Sequence, residues 1–193
     1  MPQEPKPNLT HEPISTQSLT AFNSPSSPPW SRQLFQDPTL HPIATPCRHP
    51  KPTTEDSLVA ETLATDHTIS AWQSLYRTGS PKNTGELVSL LALGTGVNGH
   101  ADVAHGGLLA LILDEITGNV VELYRGEGMS GYTASLKIDF RRPVRTPGVL
   151  LCRSWLERRE GRKLWVRGRV EDGEGGLYAE GESLWVEVLK GRL

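Results

Sequence analysis

The stretch AHGGLLALILDEITG, residues 104–118, sets two acids, Asp114 and Glu115, directly behind six apolar residues. Leu108, Leu109, Leu111 and Leu113, with Ala110, Ile112 and Ile116, point in nearly every direction around a helix, so a helix starting near Gly106 is predicted to be buried almost all round. An acid in such a helix is costly unless it is paired, hydrogen-bonded or employed in chemistry. Two readings follow for Asp114. In one, the helix is short and both acids are solvated at its C-terminal end beside an arginine. In the other, Asp114 faces a cavity as a base or nucleophile, and its opposition to the helix dipole favours this functional reading. Glu115 is read as an outward-facing partner for a cation.

The opposite end of the segment carries a second element. Gly106 and Gly107 would let a ligand approach bare backbone N–H groups at the positive end of the helix dipole, where an oxyanion or polarised carbonyl is held. Eight residues separate Gly106 from Asp114, roughly 12 Å along the axis. That is too far for both to act on one carbonyl. They can serve one reaction only if two copies of the helix lie antiparallel, as in a twofold dimer, with the site shared between subunits.

The elements that would position this helix follow from periodicity. Leu58, Val59, Leu63, Ile69, Trp72, Leu75 and Tyr76 recur at spacings of three and four, so residues 54–78 are predicted as one or two amphipathic helices. The pattern breaks over Gly79 to Gly85, and ELVSLLAL, residues 86–93, is a bounded apolar run that reads as a strand. In TASLKIDF, Ala134, Leu136, Ile138 and Phe140 share one face, and Thr133, Ser135, Lys137 and Asp139 the other. Three more alternating runs follow, joined at Glu160-Gly161 and Gly173 to Gly176. Helix, strand, long helix and then at least four strands give an α+β class, an antiparallel sheet curled around a central helix.

Composition bounds the rest. The 193 residues suit one domain plus extra chain. Residues 1–53 hold twelve of the 15 prolines and no periodic apolar run, so they are read as a mostly disordered tail, with Trp30, Leu34 and Phe35 as the residues able to dock locally. Net charge is -2, which gives no bias toward polyanions. Cys47 and Cys152 are too few for a disulfide framework or zinc site and suit a reducing compartment. With no membrane span and no signal-peptide core, the reading is a soluble cytoplasmic protein. The serine content also admits a mitochondrial presequence, against which stand Glu4, Glu12 and the lack of Arg before Arg32.

HGG at 105–107, an acid nine residues after the His, Gly118 four beyond it, and then YTASLKIDFRRPV together resemble the hotdog-fold acyl-CoA thioesterases, of the phenylacetyl-CoA thioesterase and thioesterase-superfamily-member type, over about residues 85–190. The resemblance implies a homo-oligomer, dimer or tetramer, that hydrolyses an acyl-CoA or acyl-carrier thioester without cofactor or metal. It implies that the amide of Gly106, with Gly107, polarises the thioester carbonyl and that His105 shapes that site. Asp114 from the partner subunit would activate water or attack directly, and Thr133 would help position the water. Relatives often carry Asn or Gln six residues before the His; here Gly99 stands there, flanked by Asn98 and His100, and Asn98 is the candidate replacement. Residues 141–169 carry ten Arg or Lys against two acids, and Arg141 and Arg142 are candidates for the CoA phosphates. The same fold also hosts dehydratases and non-catalytic acyl-binding or interaction modules.

Other patterns carry less. GTGVNG, residues 94–99, spells a dinucleotide-binding turn, but no helix follows at once, so it reads as a loop at the mouth of the site. His100, Asp102 and His105 match no common metal signature. Trp155 and Trp165 lack a nucleic-acid stacking motif.

Overall fold

The alternating C-terminal strands and the long apolar helix close on one another. A computed structural model describes residues 7–79 and 85–191. Within them lie α1 (Thr16–Phe22), α2 (Pro29–Gln36), β1 (Leu40–Ile43), β2 (Ile69–Arg77), β3 (Glu86–Leu93), β4 (Asn98–His100), β5 (Val103–Ala104), α3 (Gly106–Tyr124), β6 (Met129–Phe140), β7 (Gly148–Glu160), β8 (Lys163–Glu171) and β9 (Leu177–Leu189). Seven strands form one antiparallel sheet in the order β1-β2-β3-β7-β8-β9-β6, with β6 at an edge. This is the hotdog fold. The break read over Gly79 to Gly85 falls largely on residues 80–84, outside the described residues, as does Glu4.

The central helix is α3. Ile112, Leu113, Ile116, Val120 and Val121 are essentially inaccessible and pack into the concave face of the sheet. His105 caps its start: the Gly107 N–H donates to His105 Nδ1 at 2.9 Å. Gly118 does not end the helix, which continues to Tyr124. A Cβ at Gly118 would lie 2.9 Å from Trp185 Cη2, so the glycine is there for close packing. Asp114 and Glu115 are therefore mid-helix, and the reading that places them at a solvated C-terminus is corrected.

The N-terminal segment departs most from expectation. Residues 7–53, read as a disordered tail, carry two helices and β1, which pairs with β2 along Leu40–Ile43. Phe22, fully buried, packs with Leu40, Leu75, Val88, Leu90 and Leu151, and Trp30, Leu34 and Phe35 close over them. The segment's apolar residues are few, but they dock on a sheet face that the rest of the chain has already built, which lowers the burial each must supply against its ordering entropy. Residues 54–78 change for the same reason. Only Leu58–Thr62 is helical, as one wide turn, and Ile69–Arg77 is the strand β2. Because the N-terminal helices cover its outer face, β2 is buried on both sides and loses the alternation of an ordinary strand, so Ile69, Trp72, Leu75 and Tyr76 mimic helical spacing. Phe22→Ala is expected to destabilise the whole domain by about 3–5 kcal/mol in denaturant unfolding. A disordered tail would give no change.

Candidate active site

Asp114 sits half-buried in the middle of α3, where its Oδ1 accepts a 2.8 Å hydrogen bond from the Thr133 hydroxyl on β6. No ion pair reaches it among the described residues. Burial raises the Asp114 carboxyl above the usual aspartate range, and the Thr133 hydroxyl partly opposes the rise. A partly desolvated carboxylate with one hydroxyl donor and no cation is a competent general base.

A bulge in β6 makes this contact. The pairing of β6 with β9 runs Thr133↔Trp185 and then Ser135↔Leu184, leaving Ala134 as the extra residue. The phase shift turns Thr133 toward the helix together with Leu136 and Ile138, although strict alternation puts Thr133 on the opposite face. Leu136 meets the concave side near Gly181, and Ile138 packs on the core.

At the start of α3, His105, Gly106 and Gly107 are exposed. The Gly107 N–H is taken by His105 Nδ1, whereas the Gly106 N–H has no hydrogen-bond partner among the described residues. Gly106 is therefore the free donor, and His105 and Gly107 form the cap that orients it. Gly99 lets the preceding loop close on this cap, because a Cβ there would lie 2.7 Å from His105 Cδ2.

The remaining candidates fall elsewhere. Asn98 accepts a hydrogen bond from the Thr146 hydroxyl, which ties β4 to the loop between β6 and β7 rather than presenting the amide to a ligand. His100 is exposed on β4. Arg141 pairs with Glu180 at 2.9 Å, and Arg142 with Asp172 at 2.8 Å while it lies over the Tyr178 ring. Seven of the ten cations between 141 and 169 are bound to carboxylates in this way. Of the other three, Arg145 bridges to Val103 beside the start of α3, a placement that needed the long-range contact and had no local signal. Among the described residues no three His, Cys, Asp or Glu side chains gather as a metal would require, and no helix is long and apolar enough to cross a membrane.

Glu115 corrects another reading. It does not face outward toward a cation: the turn Pro46–Arg48 packs over α3 and sets Cys47, itself buried, against Glu115 and Asn119. Burial pushes the Glu115 carboxyl up to about 7, Asp56 and Asp114 add to the rise, and the Cys47 thiol and Lys51 oppose it. The folded protein thus holds a proton that the unfolded chain releases, so this stability is present below about pH 4.5 and is lost as the pH rises to 7. Glu115→Gln is expected to change stability little near pH 4.5 and to raise it at pH 8 by up to about 3 kcal/mol, from about 1.4 kcal/mol per pH unit. Melting curves at the two pH values check this.

Residues 101–179 match the thioesterase superfamily. The matched stretch runs from the loop before α3 into the start of β9 of the hotdog fold. It is 33% identical over 102 residues to the acyl-coenzyme A thioesterase THEM4 of Mus musculus, covering 52% of this chain and 43% of that one. With the Bos taurus THEM4 it shares 30% identity over 115 residues, 59% of this chain and 45% of the other. The chain thus spans less than half the length of these relatives. Two solved structures share the fold: a phenylacetic acid degradation-related protein from Ralstonia eutropha (TM-score 0.55, 24% identity, 81% of this chain and 98% of that one), and a thioesterase from Haemophilus influenzae (TM-score 0.55, 13% identity, 74% and 94%).

Proposed function

We propose that the domain hydrolyses an acyl thioester, with CoA as the thiol half, at a site shared between two copies of the chain. The observation that carries this reading is the Asp114–Thr133 pair: a desolvated mid-helix carboxylate, held by one hydroxyl and free of any cation. Asp114 takes a proton from water as the oxygen attacks the thioester carbon. The carbonyl oxygen gains the negative charge, which the Gly106 N–H and the dipole of a second copy's α3 stabilise. Collapse of the tetrahedral intermediate breaks the C–S bond, and the proton passes from Asp114 to the departing sulfur. Thr133 holds the carboxylate oriented. Arg145, beside the helix start and free of an ion pair among the described residues, is the better-placed cation for a CoA phosphate than Arg141 or Arg142.

Strand β6 supports the shared site. It is an edge of twelve residues with Tyr132 and Phe140 exposed, a template for a second copy. Phe140 lies beside the helix start, since a Cβ on Gly106 would be 3.8 Å from Phe140 Cε1, and Thr133 lies beside Asp114. An antiparallel pairing of two β6 strands centred between Leu136 and Lys137 sets Thr133 of one copy opposite Phe140 of the other. The base of one copy then approaches the Gly106 amide of the other.

A thiol-release screen across aryl, short, medium and long acyl-CoAs, with a carrier-protein thioester included, tests the activity. Turnover of at least one acyl-CoA is expected, and binding without turnover overturns the reading in favour of an interaction module. Thr133→Val removes the bond that favours the charged form of Asp114, so the pH at which kcat/KM reaches half its plateau should move upward. A pH–rate profile of the variant reads the shift.

A further inference from the structure

A cavity of about 530 Å³ opens beside Asp114 between α3 and the segment 46–56. Its wall on the N-terminal side, with Cys47, Lys51 and Asp56, lies outside the stretch that matches the superfamily. Its helix side is bare at Gly118, which leaves Glu115 and Asn119 as the side chains nearest the base along α3. Tyr132 and Trp185 are its large apolar side chains, and no Leu, Ile, Val, Met or Phe lines it among the described residues. Lys51 is occupied by Glu55 and Asp56, and Glu122 by Arg125, so Asp114 and Glu115 are its carboxyls without an ion pair. Asn119 is only 9% exposed, and its one described bond is a long donation to Cys47 Sγ at 3.7 Å. Its side-chain carbonyl oxygen accepts no described bond and is open to one from a ligand in the cavity.

A hydrocarbon chain would desolvate these groups without adding a hydrogen bond to any of them, and an acyl group with its own carboxylate would meet two acids. A hydroxyl donates to either acceptor. Glu115 follows Asp114 directly and Asn119 is five residues on, about 7.5 Å along the helix, so the hydroxyl they meet sits close to the thioester. We propose that Glu115 and Asn119 are specificity-determining residues and that the acyl group they select is a 3-hydroxyacyl group. This rests on the thioesterase reading and goes beyond it by naming the substrate class.

The test uses the full chain and matched pairs, butyryl- against 3-hydroxybutyryl-CoA and hexanoyl- against 3-hydroxyhexanoyl-CoA, with succinyl- and glutaryl-CoA as the carboxylated members. In the wild type kcat/KM is expected to favour the hydroxylated member by about tenfold or more, since a site built to bond a hydroxyl rejects the analogue lacking it. Glu115→Leu and Asn119→Leu should bring the ratio toward unity. Glu115→Gln, which keeps the shape and removes the charge, should speed the carboxylated members. A wild-type ratio of one or less overturns the proposal without recourse to any variant, as does a ratio that stays at its wild-type value in both Leu variants. Either result leaves the thioesterase reading standing, whereas no thiol release from any acyl-CoA removes both.

Discussion

Asp114→Asn is expected to release thiol from acyl-CoA about 10² to 10⁴ times more slowly than the wild type, the range associated with loss of a general base. The substitution keeps the shape of the side chain and an oxygen able to accept from Thr133, and it removes only the capacity to take a proton. Because burial already disfavours the charged form of Asp114, neutralising it does not destabilise α3, and the variant should melt at or above the wild-type temperature. A structural acid gives the opposite pair of results: normal turnover and a lowered melting temperature. The wild-type pH profile carries the same logic. A general base works only when deprotonated, so if Asp114 fills that role kcat/KM should fall as the pH drops through a value above the usual aspartate range.

The candidate site was more fully legible in the sequence than its surroundings. The acid, the glycine pair and the His cap lie within ten residues of one helix, where 3.6-residue periodicity and helix-start chemistry are local rules. The Thr133 partner was legible by resemblance, but its facing was not. A bulge at Ala134 inverts the alternation of β6, and a single extra residue leaves no mark in the pattern of apolar side chains. Glu115 misled for a different reason. Its environment is set by Cys47 and the turn around it, some seventy residues away in sequence, and the prolines of that segment signal disorder when read by composition alone. The basic excess between 141 and 169 is likewise a local count. In the sheet those strands lie beside Glu86, Glu171, Glu180, Glu182 and Glu187, and much of the excess is taken up in cross-strand ion pairs.

The proposed shared site can be tested from its other side with little change to the fold. Gly106 is the first residue of α3, where proline is tolerated because that N–H has no partner within the helix. His105 before it is extended, at φ -65° and ψ 137°, as a residue preceding proline must be. A Cβ at position 106 meets nothing closer than 3.8 Å. Gly106→Pro therefore removes one donor and leaves the helix in place, and the expected loss in kcat is about 10² to 10³. Mixing this variant with Asp114→Asn then separates a shared site from two private ones. In a mixed dimer one site combines the wild-type Asp114 of the first chain with the wild-type Gly106 of the second, while the other site carries both lesions. Random reassortment of equal amounts after dissociation makes about half of the dimers mixed, each with one of two sites intact, so activity should return to roughly a quarter of wild type by closed twofold assembly. If each chain holds a complete site, every site in the mixture carries one lesion and the rate stays near that of the unmixed variants.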